Sequence, residues 1–125
     1  MLRFANAADD RSIVVSALTQ IEARSGICRL RKGDLLTPSQ ASFALDLLAG
    51  EMRRIIEQPV NPPVLEAANT AVDRHYLRAL AAVQLASAMV ARELLAASGM
   101  RFISSDDKLL AAAHAEGFET WNPCE

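Results

Sequence analysis

The chain has 125 residues, 51% of them apolar and only 5% aromatic, and a formal net charge of −2. That is enough for one hydrophobic core built mainly from Ala, Leu, Val and Ile, and with this charge nothing global attracts a polyanion, which argues weakly against a non-specific DNA coat protein. Cys28 and Cys124 stand far apart, with no CxxC and no Cys/His cluster, which reads as two unpaired thiols in a reducing compartment.

In chain order, the opening MLRFANAADDRS has no signal-peptide character, and no later stretch approaches the ~18 uninterrupted apolar residues of a membrane span. The expectation is a cytoplasmic protein with no membrane contact. SIVVS (12–16) is a short β-branched run that predicts a strand. The helix after it should run over 18–32 and stop at Gly33, with Arg29, Arg31 and Lys32 in its last turn, where the helix dipole favours cations. TPSQ (37–40) is a strong helix start: Thr37 as cap, Pro38 at the first helical position, Gln40 to close a capping box. This second helix should reach about residue 54. IIEQPV (55–60) predicts an edge strand, since Pro59 cannot donate to a central ladder.

Asn61 and Pro62 start a third helix, and 77–97 predicts a long, nearly all-apolar fourth helix ending at Gly99. RFISS (101–105) reads as a strand, DDKLLAAAHAEG (106–117) as a short helix, and FETW (118–121) as a final strand. Strands alternating with helices across short turns predict an α/β layered domain with a mainly parallel sheet.

In such a sheet, ligands gather at the carboxyl ends of strands. Glu22 lies just past the SIVVS strand, and Asp106 and Asp107 just past RFISS. Each has a plainer reading. Thr19 and Glu22 have capping-box spacing, and acids at a helix N-terminus are stabilising without any function. Taken together, the two strand-end sites could place carboxylates around one hard cation such as Mg²⁺. The fourth helix carries only Arg78, Gln84 and Ser87 as polar residues between 77 and 91, so it must be covered by protein. A carboxylate at position 81 would be costly there without a compensating cation, whereas Ala81 is ordinary core filling. Arg24 and Arg29 stand near Glu22 and could contact phosphates, or could be a solvated helix end. His75 and His114 have no partner at metal-ligand spacing and read as surface or cap residues.

Three segments in this order resemble the PIN-domain ribonucleases, especially the VapC-type toxins of bacterial type II toxin–antitoxin pairs. IVVSALTQIEARSGICRLRKG resembles the family's second strand and the helix bearing its glutamate. HYLRALAAVQLASAM resembles the segment that usually reads L-R-x-x-D-A-x-x-L-A-S-A, and RFISSDDKLLAAAHAEGFETWNP resembles the closing strand, acid, helix and strand. The resemblance implies a PIN-like three-layer α/β/α fold over 1–125 and a Mg²⁺- or Mn²⁺-dependent endoribonuclease, whose metal ions activate water and stabilise charge on the phosphate. Carried over, Glu22 and Asp106 are catalytic residues and metal ligands, with Asp107 as an auxiliary ligand. Ser104, Ser105, Arg24 and Arg29 become substrate contacts.

There are two departures. Ala81 falls where the family's third acid belongs. The family's opening strand, central in the sheet and ending in a metal-binding Asp, has no counterpart, because MLRFANAADDRS resembles the tail of the helix after it. Asp9 and Asp10 precede the SIVVS strand, at the wrong end to substitute. The domain is therefore expected to be truncated at its N-terminus, with its central first strand missing and its metal binding weak. One reading is an impaired relative of metal-dependent RNA-cleaving toxins. A second is a non-catalytic PIN-like module that forms a homodimer or binds an antitoxin protein. A third makes the chain a fragment with a mis-assigned start.

Overall fold

The computed structural model describes residues 3–6, 9–53, 55–96 and 100–124 of the chain. It is a mixed α/β structure whose elements run β1 (Arg3–Asn6), β2 (Asp9–Ser16), α1 (Leu18–Lys32), α2 (Pro38–Met52), β3 (Ile56–Gln58), α3 (Pro62–His75), α4 (Ala79–Leu94), β4 (Met100–Ile103), α5 (Asp107–Ala115) and β5 (Glu119–Trp121). Local chemistry explains several boundaries. The Thr37 hydroxyl accepts from the Gln40 amide while the Gln40 side chain accepts from the Thr37 amide, at 3.1 and 2.9 Å, so the capping box forms as its sequence dictates. Asn61 caps α3 by accepting from the Val64 amide, and Gly117, at φ 91°, follows α5 with a backbone that a side chain would strain. The fourth helix is shorter than expected, starting after Arg78 and ending at Leu94. Gly99, its expected stop, lies outside the described residues.

The sheet has the order β3-β2-β1-β4-β5. β2 pairs in parallel with β3, and β4 with β5, whereas β1 is antiparallel to both β2 and β4. Hence β2, β3, β4 and β5 all run one way and β1 is reversed among them. This corrects two expectations. Residues 3–6 are a strand and not the tail of a helix, and the central slot between β2 and β4 is filled from within the chain. An open slot would leave two rows of backbone N–H and C=O groups unpaired, so even a four-residue strand is favoured there.

Val14 and Val15 are adjacent on β2 and therefore point to opposite faces. Val14 joins the larger core with Val64 and Ala68 of α3, Leu85 and Ala86 of α4, Phe102 of β4 and Leu109 of α5. Val15 joins a smaller one with Leu48 and Met52 of α2, against which Ala23 and Ile27 of α1 pack. Helices thus cover both faces of β2. The Ala-rich side of α4 contributes little apolar area per residue, so larger side chains such as Leu85, Leu109 and Phe102, each at most 2% exposed, matter more to this core, at about 1.5–3 kcal/mol each.

Candidate functional site at the carboxyl rim of the sheet

Because β2 and β4 run the same way, Ser16, the last residue of β2, and Ser104, the first after β4, lie at one rim, with β1 between the two strands. Both serines are buried, and each hydroxyl organises the start of the next helix: Ser16 Oγ accepts from the Leu18 amide at 3.3 Å, and Ser104 Oγ from the Asp106 amide at 3.1 Å. The α3–α4 turn reaches the same region, since Lys108 Nζ donates to the Tyr76 carbonyl at 2.9 Å. The reversed β1 brings its amino end here, with Arg3 opposite Ile103. Asp9, paired with Asn6, lies at the far end of the sheet, so Asp9 and Asp10 contribute nothing to this rim.

Glu22 is the acid that leaves its own helix. α1 begins at Leu18 with Ala17 as its cap, so the Thr19–Glu22 capping box does not form. Thr19 is 2% exposed, and its Oγ1 has no hydrogen-bond partner. The Glu22 carboxylate instead accepts from Nε2 of Gln84 on α4. Ala81, half-buried, precedes Gln84 by three residues and so lies one turn away on the same face. Beside this contact is a cleft of about 320 Å³ lined by Leu18, Ile21, Glu22, Ser25, Arg29 and Leu80. The structure therefore joins Glu22 to the part of α4 that carries Ala81, and puts Arg29 on the same cleft. Arg24 is exposed and does not line it.

Asp106 takes the plainer of its two readings. Its Oδ1 accepts from the Lys108 and Leu109 amides at 3.0 and 3.2 Å, an N-cap for α5. Asp107 Oδ1 accepts from Asn122 at 3.3 Å, and Ser105 is exposed. Glu22 and Asp106 share no partner, and among the described residues no three His, Cys, Asp or Glu side chains are grouped to hold a metal ion. Mg²⁺ bound by protein oxygens uses one or two carboxylates plus waters in octahedral geometry. Here the acids nearest the rim already accept from an amide side chain, two backbone amides and an asparagine.

Sequence reasoning missed Gln84 as a site residue. Its signal was there: it is an amide inside a nearly apolar helix, three positions after Ala81, and it is only 8% exposed. It also gave no partner for His75, read as a surface or cap residue, which is the last residue of α3 and half-buried. His75 Nε2 lies 2.7 Å from Glu116 Oε2, and Arg74 donates to the same oxygen at 2.8 Å, with the His75 and Glu116 side chains 13% and 11% exposed. Burial works to raise the Glu116 carboxyl, but the hydrogen bonds and positive charge of His75 and Arg74 outweigh it and hold the group below its ordinary value. A larger cleft of about 600 Å³ lies between α3 and α4, lined by Thr70, Arg74, Arg92 and Glu93 among others, and holds none of the sequence-predicted site residues. Both cysteines are free and exposed. Among the described residues no helix is long and apolar enough to cross a membrane. No protein-family model matches the chain, and no curated protein does.

Proposed function

We propose that this chain is a PIN-like α/β/α domain, related to metal-dependent endoribonuclease toxins, whose own RNA-cleaving centre is impaired. The observation that carries the reading is the meeting of Glu22 with α4 one turn from Ala81. In the resemblance these are the positions of two acids that share a metal, and a common pocket is what kinship requires. Two facts support the impairment. Alanine at position 81 supplies no ligand, and the reversed β1 brings an amino end, not a carboxyl end bearing an acid, to the rim. Losing carboxylates weakens a hard-cation site and misplaces any ion that does bind.

The expected result is little Mg²⁺- or Mn²⁺-dependent cleavage of a mixed single-stranded RNA substrate by the purified chain. Turnover comparable to an intact PIN ribonuclease, abolished by Glu22→Gln, would refute the impairment. One observation favours the binding-module reading as a second role: Phe43 and Leu47, one turn apart on α2, are 66% and 54% exposed. An antitoxin-like partner or a second copy of the chain would bury them. Concentration-dependent sedimentation that is lost in Phe43→Asp would support the second copy.

A further inference from the structure

We propose that the cleft between α3 and α4 binds a short free peptide of about four residues, holding its carboxylate at two arginines and its ammonium at two glutamates. The site is separate from the rim and does not depend on the reading given above. Its volume of about 600 Å³ is that of a ligand pocket, and Ala67, Met89 and Val90 line it with apolar surface. Arg74 and Arg92 are held ready at one end. Arg74 Nη1 donates to both carboxylate oxygens of Glu116, at 3.1 and 2.8 Å, and Arg92 Nη1 donates to the carbonyl of the same residue at 2.9 Å. The Arg92 guanidinium also lies 4.0 Å from the centre of the Phe118 ring. One residue thus fixes both guanidinium groups, while their other N–H groups have no partner among the described residues. Donors positioned in this way take a carboxylate at little cost in side-chain ordering.

The opposite charge sits at the other end. Glu66 and Glu93 line the cleft, are exposed, and have no ion pair or hydrogen bond to their carboxylates among the described residues. Glu66 precedes Arg74 by eight positions on α3, about 12 Å at a rise of about 1.5 Å per residue. After the short turn at 76–78, α4 returns antiparallel, so Glu93 near its C-terminus lies beside the N-terminal half of α3. An extended chain gains about 3.3 Å per residue, so about four residues span that separation. A simple anion would be repelled by the glutamates and a simple cation by the arginines. A ligand charged at both ends satisfies both pairs.

The test is an amide NMR titration of the isotope-labelled chain at about pH 6.5, where a peptide's amino terminus is charged. The probe is Ala-Leu-Leu-Ala with free termini, N-acetylated, C-amidated, or blocked at both ends. The free peptide should shift amides of α3 and α4 to saturation, and each block should weaken binding about two- to fivefold, the size expected of one partly exposed ion pair. In Glu93→Gln, which removes an exposed charge without a structural contact, the penalty for acetylation should shrink and that for amidation should persist. Equal affinity for the free and doubly blocked peptides would overturn the proposal, as would shifts confined to other elements or no shifts at all. A penalty for amidation alone would refute the acidic end, and with it a site that reads both termini.

Discussion

Glu116→Gln should lower stability by an amount that depends on pH in a defined direction. The side chain keeps its shape and loses its charge. In the native chain its Oε2 is 2.7 Å from His75 Nε2 and 2.8 Å from Arg74 Nη1. A hydrogen bond to a charged group is worth about 1.5–3 kcal/mol against about 0.5–1.5 for a neutral pair. Arg74 is 56% exposed, so solvent screening holds its share to about 0.5 kcal/mol. The variant should therefore lose about 1–2 kcal/mol near neutral pH, or about 4–8 °C in Tm for a chain of this size. The sign of the pH dependence follows from the carboxyl being held below its ordinary value of 4.5. Such a group adds stability above its unfolded value and gives it up as pH falls through the folded value. Thermal melts followed by circular dichroism should show the full gap between the native chain and Glu116→Gln at about pH 5.5, shrinking steadily below about pH 4.5. A gap that stays constant down to about pH 3, or no gap at all near pH 6, would refute the reasoning.

Two further outcomes are expected. Asp106→Ala should lose about 1 kcal/mol in urea unfolding, whereas Asp106→Asn, an equally good cap, should be close to neutral; equal losses would show that the charge, and not the cap, is what matters at α5. Tyr76 sits at φ 54° with its side chain 81% exposed, so Tyr76→Gly should stabilise by about 0.5–1 kcal/mol, and a loss of stability would mean that the ring contributes contacts its exposure does not reveal.

The parts of the fold that were legible in the sequence are those decided within one turn of chain. Thr37, Pro38 and Gln40 define the start of α2 by themselves, and Gly117, at φ 91°, marks the end of α5 by backbone chemistry alone. β1 was illegible because RFAN has neither β-branched residues nor alternation; it becomes a strand through pairing with β2 and β4, both distant decisions. Thr19 and Glu22 show the opposite failure. Their spacing satisfies a local rule, but α1 starts earlier, at Leu18, and Glu22 finds a partner 62 residues away. His75 pairs with Glu116 across 41 residues, and spacing carries no signal for that. At the rim, Asp106 followed its local chemistry and Glu22 did not.

That contrast bears on how the fold answers the acids at this rim. Clustered carboxylates repel one another and stabilise a fold only if something compensates them. In this chain the compensation is distributed over single donors. Gln84 answers Glu22, the Lys108 and Leu109 amides answer Asp106, and Asn122 answers Asp107. Alanine at 81 adds no charge beside Glu22. Each of these carboxylates serves the local structure: Glu22 as an interhelical tie, Asp106 as a helix cap, and Asp107 as an acceptor for the chain after β5.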